Sequence, residues 1–218
     1  MLGWHYKSKP LILLAIMPIH GNVTLMKSCR LARLSLVFVA CLAAPATVLA
    51  APPSFYNPDI AGSRDVRDLP RFENARIRAF QQRDNAEISV PVDAINTRTE
   101  ENTKTIQLQG TIIHTDYVIR PLRPAADIDR HYENVLRNAG YETVFRCAGI
   151  AACGSRMGSM ILNDGNVAPA GFADGLFNDQ MRVRVAKKGA TWVLLHVIQG
   201  PDRALVYQAV IEGARELE

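Results

Sequence analysis

The chain has 218 residues, enough for one ordinary domain or two small ones. Its formal charge of +4 is set by the first fifty residues, where Lys7, Lys9, Lys27, Arg30 and Arg33 stand without an acid. Residues 51–218 carry 20 basic and 21 acidic side chains, a net of −1, so a nucleic-acid partner lacks the basic footprint it would need.

Residues 1–25 precede a complete secretory signal that starts at Met26, and they are expected to be a gene-model extension. In 26–50, Lys27, Arg30 and Arg33 form a positive region and Leu34 to Leu42 an apolar core, with Val48-Leu49-Ala50 placing cleavage after Ala50. That core is shorter than the ~20 apolar residues a membrane span needs, so no transmembrane segment is expected after cleavage. Val39-Ala40-Cys41 resembles part of a lipoprotein box and opens an alternative, an outer-membrane lipoprotein anchored at Cys41. Phe38 stands where such boxes want Leu.

Residues 51–75 begin rich in Pro, Gly, Ser and Asp and predict an irregular approach segment. A single domain over 76–218 is expected to follow. Arg76 to Phe80 and Ala86 to Val90 read as paired strands, with QQRDN between them as the turn. Thr97 to Lys104 reads as a solvated loop. From Thr105 to Ile119 the alternation of Ile106 and Leu108 changes phase after Gly110, which predicts a bulge there. Pro124, Asp127 and Asp129 then mark a helix start. Ile128, Tyr132, Val135, Leu136 and Ala139 form one face of a helix over about 125–139, and Gly140 ends it. Tyr141, Thr143, Phe145 and Cys147 read as one face of a strand. The strand-helix-strand run predicts a split β-α-β unit.

A glycine-rich stretch from Ala148 to Asn178 is too long to be structureless and predicts a short element near Arg156 to Leu162. Met181, Val183 and Val185 alternate as a strand, Thr191 to Gln199 is apolar on both faces and hence central, and Ala204 to Ile211 closes the set. The predicted class is α+β, a mostly antiparallel sheet with one main helix on one face.

Of four cysteines, Cys29 and Cys41 lie in the leader. Cys147 and Cys153 remain after cleavage, and in an oxidising compartment they are expected to form a disulfide. As a nucleophile with His131 as base, Cys147 would need a free thiolate, and its spacing is not that of a redox motif. His114 and Asp116 share a strand face, but a metal site needs a third ligand that the spacing does not supply, and His196 reads as a core histidine. No metal or cofactor is therefore expected. Arg182, Arg184, Lys187 and Lys188 form a candidate anion or lipid-headgroup patch. Ser63, Ser155 and Ser159 lack a nucleophile-elbow context, and the glycines at 154, 158, 165, 171 and 175 form no phosphate loop.

An ordered series of motifs resembles one family. Asp59-Ile60-Ala61-Gly62-Ser63-Arg64-Asp65, Pro70-Arg71-Phe72, Tyr132-Glu133, Asn138-Ala139-Gly140-Tyr141, Phe145-Arg146-Cys147 and Cys153-Gly154 resemble an uncharacterised domain family of Gram-negative envelope proteins. Its members stand alone or precede an OmpA-like peptidoglycan-binding module. The sequence departs in lacking that module's Asn, Asp and Arg pattern, and Val66-Arg67-Asp68 lacks the His-Pro expected there. The resemblance implies an envelope location and no known chemistry. The expectation is thus a periplasmic binding or scaffolding domain with an envelope protein or lipid partner. The alternatives are an enzyme walled by the 154–178 loop and the Cys41 lipoprotein.

Overall fold

The computed structural model describes residues 58–96, 104–172 and 178–217. The expected extension, the signal, Cys41 and residues 51–57 lie outside the described residues, as do 97–103 of the solvated loop and 173–177 of the glycine-rich stretch.

Among the described residues six strands form one antiparallel sheet: β1 (Ala75–Pro91), β2 (Thr105–Ile119), β3 (Glu142–Ala148), β4 (Arg182–Lys188), β5 (Thr191–Gln199) and β6 (Ala204–Glu216). Three helices join them, α1 (Ala125–Asn138), α2 (Gly149–Cys153) and α3 (Met157–Leu162). The spatial order is β1-β2-β6-β5-β4-β3, and every neighbouring pair is antiparallel. β2 and β3 therefore run in the same direction, connected through α1 and separated by the three last strands of the chain. The fold is α+β, with the β-α-β unit split as predicted.

Two local expectations are corrected. The QQRDN segment is no turn, because β1 pairs with β2 along its whole length and absorbs the polar run in a bulge between Arg83 and Ala86. Asn85 takes a left-handed backbone there, φ 48°, a conformation asparagine tolerates better than most residues. On β3 a bulge lies between Thr143 and Phe145. Thr143 thus opposes Ala186 while Phe145 and Cys147 oppose Val185 and Val183, so the four residues read as one face are divided between two.

The phase change at Gly110 does mark an irregularity, a register shift between Gln109 and Thr111 opposite β6. A Cβ at Gly110 would stand 2.7 Å from the Glu212 carbonyl oxygen, so this crossing admits only glycine.

α1 buries Ala125, Ile128, Tyr132 and Leu136 against the sheet. Its first N–H is taken by the Gln199 side chain at the end of β5. Its last turn closes with Gly140 N–H to Arg137 O and Tyr141 N–H to Leu136 O, the paired bonds that a left-handed glycine permits.

Both faces of the sheet are covered. Beneath α1 and the 58–74 segment, Ile77, Tyr117, Ile119, Val193, Leu195 and Val206 form one core with Leu69 and Phe72. On the other face, Ile88, Ile112, Trp192, Leu194 and Tyr207 pack with Ile95, Cys153 and the apolar side of α3. Burial of this kind is worth ~25 cal/mol per Å² of apolar surface.

Candidate functional site

The cystine forms where β3 turns into α2. Cys147 and Cys153 are bonded, with Cα atoms 5.1 Å apart. α2 in turn holds the chain after β1: Cys153 O accepts from Ile95 N–H at 2.9 Å, and Arg156 N–H donates to Ile95 O at 2.9 Å. Gly154 lies against this strip, where a Cβ would meet Ile95 O at 2.3 Å. The Cys147 thiol is therefore spent in a bond. It packs on the α3 side of the sheet, whereas His131 belongs to α1 on the other side and contacts the Pro70 carbonyl and the Phe72 ring.

The four candidate cations do not form one patch. Arg184 is buried, 2% exposed, and points at α1, where its Nε and Nη2 donate to the two Asp129 oxygens at 3.0 Å each. Glu133, one turn further along the helix, adds a contact at 3.4 Å. Arg182 donates to the carbonyls of Met181 and Asp179. Lys188 donates at 2.7 Å to the carbonyl of Ala139, the residue that caps the end of α1. Lys187, on the opposite face, lies over the Trp192 ring and reaches Glu216. Arg184, Lys187 and Lys188 each fasten one element to another, whereas Arg182 bonds to the turn that precedes its own strand.

A second clamp was not legible as a site. Arg71 donates to Asp65 and to both oxygens of Asp59, and Asp59 accepts the Ile77 N–H of β1. Burial works against the Asp59 carboxylate, yet the Ile77 N–H and the Arg71 guanidinium outweigh it and hold its pKa below the usual range. Tyr117 completes the clamp by donating to Asp65 at 3.1 Å. The signal for it was the Asp-x5-Asp-x5-Arg spacing in a segment otherwise without pattern.

The most unusual chemistry is a buried polar row under α3 and the chain that follows it. Across the sheet, Asp116 of β2 stands opposite Tyr207 of β6, and Tyr207 opposite His196 of β5. His114 lies two residues from Asp116 and meets the Tyr207 hydroxyl through Nδ1 at 2.8 Å. Asp116 is fully buried and bonded to Arg78 at 2.8 Å. His114 and His196 are each 1% exposed, and neither Nε2 has a partner among the described residues. Burial drives both imidazoles down to about 4, with the charge of Arg83 adding to the effect at His114. Burial pushes the Tyr207 phenol well up, assisted by Asp116.

At neutral pH both histidines are thus uncharged and weakly basic, far from the pKa near 7 that suits a general base. Among the described residues no three His, Cys, Asp or Glu side chains are grouped to hold a metal ion. Among them also, no helix is long and apolar enough to cross a membrane. The sequence pointed to His114 and Asp116 as face-sharing neighbours, but not to Tyr207, which the insertion of β6 beside β2 brings to them.

These features define a disulfide-bonded α+β domain built on one antiparallel sheet covered on both faces. Compared with protein-family models and with curated proteins, the chain matches none.

Proposed function

We propose that this chain is an exported cell-envelope domain that binds or scaffolds an envelope protein or lipid and does not turn over a substrate. The observation that carries the reading is the Cys147–Cys153 bond, a linkage that persists in oxidising compartments and is rare in reducing ones. The signal-like segment at 26–50 and the resemblance to an envelope family support the same compartment. The absence of turnover is supported by the use of side chains among the described residues: both cysteines are in the disulfide, the buried histidines are held neutral, and Arg184 and Lys188 tie β4 to α1.

Two measurements test the proposal. Intact mass of the protein from its native compartment, without reductant, reports removal of residues before Ala51 together with the state of both thiols. Free thiols at Cys147 and Cys153 would refute the envelope assignment. Cross-linking of an envelope fraction followed by affinity capture is expected to yield one reproducible protein or lipid species, and its failure in replicate would refute the binding role.

A further inference from the structure

The covering of the α3 face is fastened directly over a histidine. After α3 the chain returns across the sheet through residues 163–172. Asn166 O accepts from Ser89 N–H at 3.0 Å, and Val167 O accepts the Tyr207 hydroxyl at 3.2 Å. Phe172 then meets the rings of His114 and Tyr207 edge-on, with centroids 6.0 and 6.3 Å apart. This segment is held by a few bonds and ring contacts and by the buried side chains of Val167, Ala168 and Phe172, whereas the sheet below it is paired along every strand.

The hydrogen bonds fix which nitrogen of His114 carries the proton. Tyr207 has one hydroxyl hydrogen, and a carbonyl can only accept, so that hydrogen goes to Val167 O. The Tyr207 oxygen must then accept at 2.8 Å from Nδ1–H of His114. Nε2 is left as a lone pair in a buried position, with no partner among the described residues. A proton added there would make a buried imidazolium whose new donor has no acceptor, a doubly unfavourable state.

We propose that His114 is an acid-sensitive latch: protonation at Nε2 releases the 163–172 cover from the sheet while the strands stay paired, exposing the apolar face around Ile88, Ile112 and Tyr207. The surrounding charges favour release. Arg83 of β1 adds positive charge. Asp116 on β2 is engaged by Arg78 of β1. Tyr207 of β6 stays a neutral phenol, and His196 of β5 is uncharged. On the cover, Asp164 is paired with Arg156 at 3.7 Å.

In the closed state the imidazole is held at about 4, and with the cover lifted it titrates near the ordinary 6.5. Between those values each pH unit downward raises the open population about tenfold, because opening takes up one proton.

Amide hydrogen exchange on the full chain from pH 7.5 to 4.5, corrected for intrinsic rates, tests this. Protection within 163–172 is expected to fall about tenfold per unit below pH 6.5 while β5 and β6 stay protected. His114→Asn keeps an amide donor near Tyr207 but cannot titrate, and it should abolish the response, whereas His196→Asn should leave it. An equal response in wild type and His114→Asn would overturn the proposal, as would simultaneous loss of protection in cover and sheet. If His114→Asn does not fold, imidazole NMR on the wild type decides. A neutral Nδ1–H tautomer titrating together with the loss of protection upholds the latch, and an Nε2–H tautomer or a different midpoint overturns it.

Discussion

Removing the carboxylates that hold Arg184 should destabilise the fold more than removing Arg184 itself. The guanidinium is 2% exposed, while its partners Asp129 and Glu133 keep 24% and 37% of their side-chain surface in solvent. With Asp129→Ala and Glu133→Ala combined, a buried cation is left uncompensated, a loss of about 3–5 kcal/mol. Arg184→Met fills most of the same volume with an apolar chain and leaves two acids that water still reaches, a loss of roughly 1–2 kcal/mol. The gap of about 2 kcal/mol corresponds to ~4–8 °C in Tm for a chain of this size. Trp192 is the sole tryptophan after residue 50 and is buried in the sheet, so its fluorescence in urea melts gives the stabilities directly. Adding Arg184→Met to the double alanine variant should recover part of the loss. If the double alanine variant is no less stable than Arg184→Met, or the triple variant no better than the double, α1 is not held to the sheet by this ion pair.

Reduction of the Cys147–Cys153 bond, or replacement of both cysteines by serine, should cost about 2–3 kcal/mol on the chain-entropy account of a short loop, read as a lower urea midpoint with dithiothreitol. Gly154→Ala should cost more than about 2 kcal/mol and loosen residues 92–96 first, since the residue has φ 89° and its Cβ would strike the Ile95 backbone; full stability of that variant would contradict the close approach. Arg71→Ala should make the 58–74 segment susceptible to limited proteolysis without unfolding the sheet, at a cost of about 1–2 kcal/mol. Because the folded pKa of Asp59 lies below its unfolded value of 3.8, the clamp's contribution is complete above that value and is lost as pH falls through the folded pKa. Asp59→Asn should remove this part of the acid dependence.

Where local pattern and local structure coincide, the sequence was readable. α1 declared itself through the stripe Ile128, Tyr132, Leu136 and the glycine at 140, and β5 through an apolar run, broken only by His196, that is buried on both sides. Gly110 signalled its bulge because alternation depends on two-residue parity, which any insertion breaks. The QQRDN run misled because five polar residues serve equally well as a turn and as an exposed edge of a long strand; pairing with β2 decided between them. α2 and α3 span five and six residues without capping side chains, too short for a helical period to show, so the covering of the second face was largely invisible. The strand cations were read from parity alone. What Arg184, Lys187 and Lys188 touch depends on α1 lying across β4 and on β6 ending beside Lys187, contacts between residues distant in sequence. Asp129 and Glu133 offered one clue, two acids a single turn apart bordering the apolar stripe.

The placement of β6 has a consequence for the order in which the protein can assemble. In the hydrogen-bonded ladder the hairpin of β1 with β2 and the trio β3, β4, β5 are joined by β6, which enters between β2 and β5. A nascent chain, however long it waits, holds two halves with unfilled margins until Ala204 to Glu216 emerges. The thirteen-residue β6 is the keystone, and in whichever compartment the chain folds, the two halves keep open margins until that strand is in place.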